Sequence, residues 1–403
     1  MDKIIVWGTG NVGSSKWCTR FLEKKYEIVA YCDNDKKYEN LNGYRVIEVD
    51  EFKRLMCVKK NEREIDAVIV AVANREIYED IVEQIKGIEN DILCCWYMEI
   101  CHELEKLYIE KTRNELSYDN YSVDYQDYLH KWVNNLISEV EFWVNYVAKE
   151  TGEYHDDYIE RMQNDNFIKN DTECVEYLLK YVKQLGNPKI ADIGCGLTAK
   201  FGEKISEKEV IDITRIDPLA YFYNEINKKY AVGRMAEVKF GLFEFMAHYY
   251  KKNSFDVVII CNALDHCIDP YKSIIECLNV VKNGGMLYLN HYRSEGVNER
   301  YTGLHQWNID YNDNEELIIW NYDMSINVSK ELDDIVDVII EHKEESEEKE
   351  QIFGCYLMKK RDFSLDEYIS MDKEAIVLSE LVNKLMMKMA SVKMNKEFAV
   401  LLE

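Results

Sequence analysis

Proline is scarce in this chain, with 3 residues among 403. All three prolines, Pro188, Pro218 and Pro270, lie in the middle of the chain at predicted strand or turn positions. A linker rich in glycine and serine is lacking, and no internal repeat or low-complexity tract stands out. These absences exclude repeat and low-complexity architectures, and the length alone predicts two or three globular domains.

Long apolar runs and excess positive charge are also lacking. No stretch of about 18 apolar residues is present, so no membrane span is expected. Lys and Arg number 50 against 75 Asp and Glu, which gives a formal net charge of -25. Such an acidic chain is poorly suited to a phosphate backbone or an anionic membrane. We therefore expect neither nucleic acid nor membrane as a partner.

Cysteine is present without the spacing that indicates a metal site. There are 12 cysteines, but no CxxC pair occurs, and no metal cluster with ligand spacing is found, so no metal is expected. The N-terminal residues read as a first strand rather than a signal peptide. Buried reduced thiols and a cytoplasmic location are the expectation that follows.

The order of predicted elements indicates an α/β protein with two Rossmann-like, doubly wound sheets. Strands alternate with helices over residues 1–98, which predicts a small parallel sheet, and again over 186–360. Residues 99–185 look wholly helical and form a predicted connector. The tail, 361–403, contains a Met-rich helix from about Lys373 to Ala390. The connector and the tail each offer an apolar stripe for packing or for a homodimer.

A first glycine-rich turn follows the predicted strand Lys3–Trp7 and precedes a predicted helix. Gly8, Gly10 and Gly13 form a GxGxxG pattern, and Asp33 ends the second predicted strand. The glycines serve in turn a tight bend, close approach of backbone to a phosphate, and packing of helix on strand. The helix N-terminus attracts negative charge, and Asp33 can hydrogen-bond a ribose. The turn is predicted either to bind a nucleotide or to be kept for packing alone.

Three short segments give this N-terminal region a family resemblance. Tyr31–Asn34 reads as a YxxDN strand end, Gly43–Ile47 follows as GYxVI, and Ile65–Ala71 is an apolar strand. The region resembles the small Rossmann-like N-terminal domains of bacterial sugar-modifying enzymes. The resemblance implies a nucleotide or nucleotide-sugar as ligand, with NAD less favoured.

A second glycine-rich turn reads Asp-x-Gly-x-Gly, with Asp192, Gly194 and Gly196 after an apolar strand. The glycines let the backbone pass close under a ligand that has no phosphate. Asp192 suits a cationic ligand and would repel a pyrophosphate. Further strands are predicted downstream, at residues 210–216, 238–240, 255–261, 286–290, 336–340 and 353–358.

This ordered set resembles the class I S-adenosylmethionine-dependent methyltransferase family over residues 186–360. The resemblance implies a seven-stranded sheet with an antiparallel last strand, and S-adenosylmethionine as cofactor. Asp217 would accept bonds from both ribose hydroxyls, and Glu244 would lie near the adenine. The cofactor-binding residues that the resemblance implies are Asp192, Gly194, Gly196, Asp217, Glu244 and Asn262.

Flanking segments indicate a subgroup of that family. Glu141–Trp143, Gly152 and Tyr158–Arg161 resemble the helical lead-in of methyltransferases in bacterial surface-glycan and natural-product gene sets. Gly303–Asn308 resembles a segment of the same group. The resemblance implies a small, sugar-like acceptor.

Methyl transfer to a hydroxyl requires alignment of the acceptor and removal of its proton. Three of the 8 histidines follow predicted strands at the ligand end of the sheet, and we favour His291 and His305 over His266 as the base. Each histidine could instead be structural. Asp265, Arg293 and Glu295 are candidates for orienting sugar hydroxyls, and Tyr292 and Trp307 for stacking on a sugar ring or for packing.

Three other functions stay open from the sequence. The chain could be a non-catalytic scaffold that senses nucleotides through two Rossmann-like domains. It could methylate a protein or an RNA, although its acidity weighs against RNA. A nicotinamide-dependent oxidoreductase would need a catalytic group beside Gly8–Gly13, and none is found there.

Overall fold

The computed structural model divides into two compact units. The N-terminal unit comprises Met1–Leu116 and Gly296–Thr302, and the C-terminal unit comprises Ser117–Glu295 and Gly303–Glu403. The domain boundaries at residues 98, 185 and 360 that the sequence predicts stay predictions. The structure describes residues 1–10, 12–58, 64–100, 115–148, 163, 166–168, 173–197, 200–206, 209–230, 237–342, 351–369 and 373–396.

The N-terminal unit contains a six-stranded sheet in the order β3-β4-β2-β1-β5-β6. All strand pairs are parallel except β3 with β4. The elements are β1 (Lys3–Trp7), α1 (Lys16–Glu23), β2 (Glu27–Asp33), β3 (Asn40–Leu41), β4 (Tyr44–Glu48), α2 (Val49–Met56), β5 (Ala67–Val70), α3 (Arg75–Ile88) and β6 (Leu93–Trp96).

Two strands of this sheet were not predicted. β3 has only two residues, and β6 is a four-residue edge strand whose Leu93 is exposed. Neither segment is long enough to show a period of two, which is the signal on which a strand prediction depends. The predicted α/β class is confirmed, because the buried strands β1, β2 and β5 form its centre.

The C-terminal unit is built on a seven-stranded sheet in the order β15-β16-β11-β10-β7-β8-β9. β16 is antiparallel to both of its neighbours, as predicted for the last strand. Its elements begin with α4 (Tyr125–Ala148), α5 (Glu176–Leu185), β7 (Lys189–Ile193), β8 (Asp212–Asp217), α6 (Ala220–Tyr230), β9 (Lys239–Phe240) and α7 (Met246–Tyr249). They continue with β10 (Phe255–Cys261), α8 (Pro270–Val280), β11 (Val281–Tyr292), α9 (Glu295–Asn298), β12 (Asn308–Tyr311), β13 (Leu317–Trp320), β14 (Ser325–Asn327), α10 (Val328–Glu331), β15 (Val336–His342), β16 (Ile352–Lys359) and α11 (Lys373–Lys396).

A separate three-stranded antiparallel sheet, β12-β13-β14, is inserted between β11 and β15. The sequence did not predict it. β12 and β13 are buried along their whole length and have four residues each, which is too short a run to indicate a strand by itself. Two of its polar residues, Asn308 and Asp310, are fully buried.

The predicted wholly helical connector is wrong for residues 116–124, which are not helical. The side chain of Asn120 is taken up by the loop before β14, donating to the Asp323 carbonyl and accepting from the Ser325 amide. The Tyr121 hydroxyl donates to Asp269 at 2.7 Å. These contacts fix the segment against the loop before β14 and the start of α8. Gly152 and Tyr158–Arg161 of the lead-in lie outside the described residues.

The state of the cysteines and the hydropathy of the helices can be stated for the described residues. Every cysteine in the described ranges is a free thiol, and most are buried. Among the helices that the structure describes, none has the length and hydropathy needed to cross a bilayer.

Candidate active site

The glycine-rich turn after β7 is shaped by close packing. Gly194 and Gly196 both have positive φ, at 67° and 64°. A Cβ at Gly194 would lie 2.5 Å from the Phe243 ring and 2.6 Å from the Ala263 Cβ. A Cβ at Gly196 would lie 3.5 Å from the Trp143 ring, so this position has somewhat more room. The turn therefore brings bare backbone to the edge of the sheet, where a ligand can approach it.

Asp217 ends β8 beside this turn. Its two carboxylate oxygens accept from the Gly196 amide at 3.1 Å and from the Leu219 amide at 2.8 Å. Burial raises the pKa of Asp217 to about 7, although the hydrogen bonds from the two backbone amides oppose the rise. Its side chain is thus fixed in position and able to accept further bonds when it is ionised.

Asp192 is the second carboxylate at this edge, near the end of β7. It is buried, and its Oδ2 has no hydrogen-bond partner within the described residues. Burial raises the pKa of Asp192 to about 6, opposed by the charges of Arg215 and Lys200. A buried carboxylate oxygen without a donor is costly, and a bound cationic group would satisfy it.

Glu244 has a structural role that the sequence did not reveal. Its Oε1 accepts from the Ile268 amide at 2.7 Å and from the Asp269 amide at 3.2 Å. The carboxylate thereby holds the loop that leads into α8. Glu244 also lines the cavity, and its predicted adenine contact stays a prediction. Its neighbours Leu242 and Phe243 also line the cavity and present apolar surface.

Asn262 lies where the sequence placed it, directly after β10 at the ligand end of the sheet. It has a positive φ of 44°. Its backbone amide donates to the Asn290 carbonyl at 2.8 Å, and its side-chain Nδ2 donates to Glu295 Oε1 at 3.4 Å. Its Oδ1 is buried without a partner in the described ranges and faces the same cavity.

Two of the three predicted histidines meet at one carboxylate, which we call the Asp265 cluster (Asp265, His266 and His305). His305 Nδ1 lies 2.7 Å from Asp265 Oδ2 and 3.1 Å from His266 Nε2. Asp265 is fully buried, which alone would raise the pKa of its carboxyl group. The facing His266 and His305 imidazoles outweigh burial and hold that pKa well below its usual range.

His291 differs from the other two histidines. It is buried in β11, and neither ring nitrogen has a hydrogen-bond partner among the described residues. Burial lowers the pKa of His291 to about 4. A base this weak gains little by accepting a proton at neutral pH, so the low pKa weighs against His291 as the base.

Two candidates for sugar contacts are used elsewhere. Arg293 pairs with the buried Asp310 at 2.6 Å and lies over the Tyr311 ring at 3.8 Å. Trp307 is fully buried, stacks on Tyr128, and donates to the Cys267 carbonyl at 3.1 Å. Neither side chain is placed to touch a ligand, since packing and pairing occupy both. Tyr292 is half-buried and lines the cavity.

A cavity of about 290 Å³ lies at this edge of the sheet, and His266 is the member of the Asp265 cluster that lines it. Its volume is at the lower end of the range typical of small-molecule sites. α4 covers one wall with Trp132, Leu136, Glu139 and Trp143. The residues at its strand-end wall that were predicted from the sequence are Asp192, Gly194, Gly196, Asp217, Glu244, Asn262 and His266.

The first glycine-rich turn, in the N-terminal unit, is explained in part by packing. A Cβ at Gly13 would lie 1.9 Å from the Gly8 carbonyl oxygen, and Gly8 itself has a φ of 112°. Gly10 is exposed, and nothing lies within 4 Å of the position of its Cβ. Asp33 Oδ2 accepts from the Thr9 amide at 2.6 Å and from its hydroxyl at 2.7 Å. Asp33 thus braces the turn, and its predicted ribose contact stays a prediction.

Two family models match parts of the chain. A family described as "Methyltransferase domain" matches residues 191–289, which include β7 through most of β11. A family described as "C2185-like, N-terminal" matches residues 1–93. Each match falls within one structural unit.

A curated relative is an uncharacterized methyltransferase of Schizosaccharomyces pombe (strain 972 / ATCC 24843). It is 30% identical over 118 residues, which are 28% of this chain and 42% of the relative. The aligned part of the chain thus spans less than half the length of that protein.

Solved structures with some likeness include a SAM-dependent methyltransferase from Methanosarcina mazei, at 19% identity over 46% of this chain and 98% of that chain, with a TM-score of 0.31. The N-methyltransferase NodS from Bradyrhizobium japonicum is 14% identical over 46% of this chain and 93% of that chain, with a TM-score of 0.32. The match to the methyltransferase-domain family covers residues 191–289, which include most of β7, the turn after it and strands β8, β9 and β10 of the seven-stranded sheet.

Proposed function

We propose that this protein transfers a methyl group from S-adenosylmethionine to a hydroxyl of a small, sugar-like acceptor. The observation that carries the proposal is the pair of carboxylates Asp192 and Asp217. They end adjacent strands, they face one cavity, and a turn of bare backbone lies beside them. In an open α/β sheet this edge is the place where ligands bind.

The residues present fit this cofactor. The partnerless Oδ2 of Asp192 can accept from an ammonium group. Asp217, already fixed by two amides, can accept from the two hydroxyls of a ribose. Leu242 and Phe243 offer an apolar wall for a flat base. When bound, S-adenosylmethionine supplies an electrophilic methyl carbon.

The Asp265 cluster supports a role in activating the acceptor. Asp265 stays ionised and accepts the Nδ1 proton of His305, which leaves the lone pair of His305 on Nε2. With the cofactor bound, attack by an acceptor oxygen on the methyl carbon would form a C–O bond. The C–S bond would break, and the electron pair of that bond would stay on sulfur. The hydroxyl proton would pass to His305 Nε2, and the buried Asp265 charge stabilises the resulting imidazolium.

The sugar-like nature of the acceptor rests on two supports. Gly303–Asn308, the segment that resembles methyltransferases of bacterial surface-glycan and natural-product gene sets, contains His305 of the cluster. The half-buried Tyr292 side chain lines the cavity, and its ring is suited to stack on a sugar face.

A nucleotide or nucleotide-sugar at the first glycine-rich turn is the second part of the proposal, with NAD less favoured. Gly8 and Gly13 are required by the packing of the N-terminal unit itself, but Gly10 is not. The open backbone at Gly10, ahead of the α1 N-terminus, leaves room for a phosphate. Whether the turn holds a ligand is tested with the Gly10 variant described below.

Calorimetric titration with S-adenosylhomocysteine tests cofactor binding. We expect the wild-type chain to bind it, and Asp217→Ala to weaken the affinity at least about tenfold, because charge-assisted hydrogen bonds of roughly 1.5–3 kcal/mol are lost. Asp212→Ala is the matched control, since Asp212 is an exposed residue of the same strand. Thermal melting of both variants separates lost binding from lost folding. Equal affinities in the two variants, or no binding by the wild type, would contradict the proposal.

Cofactor affinity is expected to depend on pH. Burial raises the pKa of Asp217 to about 7, with Glu139 and Asp192 adding repulsion, and burial raises the pKa of Asp192 to about 6. Both carboxylates bind the ligand in their ionised form, so protonation competes with binding as the pH falls. We expect affinity for S-adenosylhomocysteine to drop at least about tenfold from pH 8 to pH 5.5.

The same carboxylates predict release of protons on binding near pH 6. Calorimetry in two buffers of different ionisation enthalpy measures that release directly. Asp217→Asn, which cannot ionise, should release fewer protons and show a flatter pH profile. An affinity independent of pH between 5.5 and 8 in the wild type would show that neither carboxylate titrates on binding.

A further inference from the structure

The Asp265 cluster has the geometry of a metal site, which its sequence spacing did not reveal. One ligand atom from each of Asp265, His266 and His305 lies within 4.8 Å of the other two. The individual distances are 2.7 Å from His305 Nδ1 to Asp265 Oδ2, 3.1 Å from His305 Nδ1 to His266 Nε2, and 3.6 Å from His266 Nε2 to Asp265 Oδ2. Ligand atoms that share one zinc-sized ion lie about 3.0–3.4 Å apart. The three atoms therefore already converge on a common point.

Hydrogen bonding alone leaves this cluster incompletely satisfied. If His305 Nδ1 carries a proton, Asp265 Oδ2 and His266 Nε2 both lie close enough to accept it, so one proton has to serve two contacts. Asp265 Oδ1 is buried and has no hydrogen-bond partner in the part of the chain that the structure describes. A fully buried carboxylate with one unsatisfied oxygen is costly, and a cation bound at Oδ2 would offset the buried charge of this carboxylate, although Oδ1 is not one of the three converging atoms.

The backbone holds the three side chains together before any ion binds. Asp265 and His266 belong to the single helical turn Leu264–His266 after β10. The Gln306 amide donates to the Asp265 carbonyl at 3.2 Å, and Trp307 Nε1 donates to the Cys267 carbonyl at 3.1 Å. These two hydrogen bonds hold the His305 loop against the turn. Because the ligand side chains are already in place, binding an ion would cost little conformational entropy.

We propose that Asp265, His266 and His305 bind one divalent first-row transition-metal ion at the edge of the cofactor cavity. Two imidazoles and one carboxylate are a donor set that suits Zn²⁺, Fe²⁺ or Mn²⁺ and discriminates against Ca²⁺ and Mg²⁺. For coordination the His305 proton moves to Nε2, and no proton needs to leave the protein.

The position of the site indicates a role for the ion in binding the acceptor, and this role rests on the proposed methyl transfer. Three protein ligands leave coordination positions open. His266 lines the cavity, so an ion held by it is reachable from the acceptor side. An acceptor with two adjacent oxygens, such as a vicinal diol or an α-hydroxy acid, would chelate the ion, and coordination lowers the pKa of the bound hydroxyl. In the metal-bound form the ion replaces His305 Nε2 as the activating group.

Metal binding is measured on the full chain, with any affinity tag removed and with neither cofactor nor acceptor present. The protein is loaded with Zn²⁺, dialysed, and analysed for metal content by mass spectrometry, and its affinity is measured by competition with a chromophoric chelator. We expect one ion per chain. Replacement by Co²⁺ should give visible absorption bands that report nitrogen and oxygen ligands.

Variants locate the ion. His266→Ala and His305→Ala are each expected to lower the Zn²⁺ affinity at least about a hundredfold, since each removes one of three ligands. His130→Ala is the matched control because His130 is an exposed histidine of α4, and it should keep both the stoichiometry and the affinity. Circular dichroism shows whether each variant is folded.

The outcomes separate this inference from the proposed function. No ion at micromolar affinity in the wild type, or an ion retained by both cluster variants, overturns the metal site, and S-adenosylhomocysteine binding is then judged by its own experiment. One ion lost in both variants supports the site even if no acceptor is methylated. If turnover is found, its loss on chelation and return with Zn²⁺ or Mn²⁺ supports the role in acceptor binding, and full turnover after chelation contradicts that role.

Discussion

Replacing His305 with alanine is expected to lower methyl-transfer turnover at least about a hundredfold while leaving the affinity for S-adenosylhomocysteine within about twofold. The physical reason is the position of His305 against the buried Asp265, at 2.7 Å. Removing the imidazole removes the group that takes the acceptor's proton or holds the ion that activates it. The cofactor carboxylates Asp192 and Asp217 make no hydrogen bond to His305, so binding should survive. Single-turnover assays with labelled methyl donor measure the effect.

The comparison with His291 makes this prediction specific. His291→Ala also removes a buried imidazole, and it tests the alternative that His291 is the base. Because burial lowers the pKa of His291 to about 4, we expect its replacement to reduce protein stability more than it reduces turnover per folded molecule. Restoration of part of the His305→Ala activity by added imidazole would support direct action. Full activity in the His305, His266 and His291 variants alike would show that no histidine takes part.

Replacing Gly13 with alanine is expected to destabilise the N-terminal unit by about 3 kcal/mol or more. The added Cβ would lie 1.9 Å from the Gly8 carbonyl oxygen and 2.9 Å from the carbonyl carbon. Both atoms are backbone, so the contact cannot be relieved by rotating a side chain. Either α1 has to move away from β1 or the turn has to open. Hydrogen exchange of the full chain, followed in peptides from β1 and β2, should show faster exchange in this unit alone.

Gly10→Ala is the matched control within the same turn. Nothing lies within 4 Å of the position of a Cβ there, so we expect a stability change of no more than about 0.5 kcal/mol. If a nucleotide phosphate rests on Gly10, this variant should weaken UDP or UDP-sugar binding at least about tenfold. Equal destabilisation by both substitutions would contradict the packing explanation. Unchanged nucleotide binding in a stable Gly10→Ala protein would remove the turn as a phosphate site.

The strands that form long apolar runs were predictable from the sequence. β1, β2, β7, β10 and β16 are buried apolar runs bounded by turns, and they lie within a few residues of the predicted positions. The antiparallel last strand followed from the family resemblance and is confirmed. Short elements were missed, because β3, β6 and the β12-β13-β14 sheet have too few residues to show a period.

For the candidate site, the sequence identified residues that line the cavity, but it did not reveal the loop contact that one of them makes. Asp192, Gly194, Gly196, Asp217, Glu244 and Asn262 all line the cavity. The carboxylate of Glu244 also holds the loop before α8. Glu244 follows β9 at the same spacing in either role. The spacing along the chain therefore could not distinguish an adenine contact from a contact with the loop.

By itself the sequence determined the class of fold, the two glycine-rich turns and the carboxylates at the ends of β7 and β8, because buried strands and tight turns leave local patterns in composition and spacing. The tertiary structure alone decided that Asp265, His266 and His305 meet, that Arg293 and Trp307 are used in packing, and that Gly13 but not Gly10 is fixed by its neighbours. These outcomes depend on segments that are far apart in the chain. His305 reaches Asp265 across 40 residues, and such a contact is set by the packing of loops against one another, which no local pattern records.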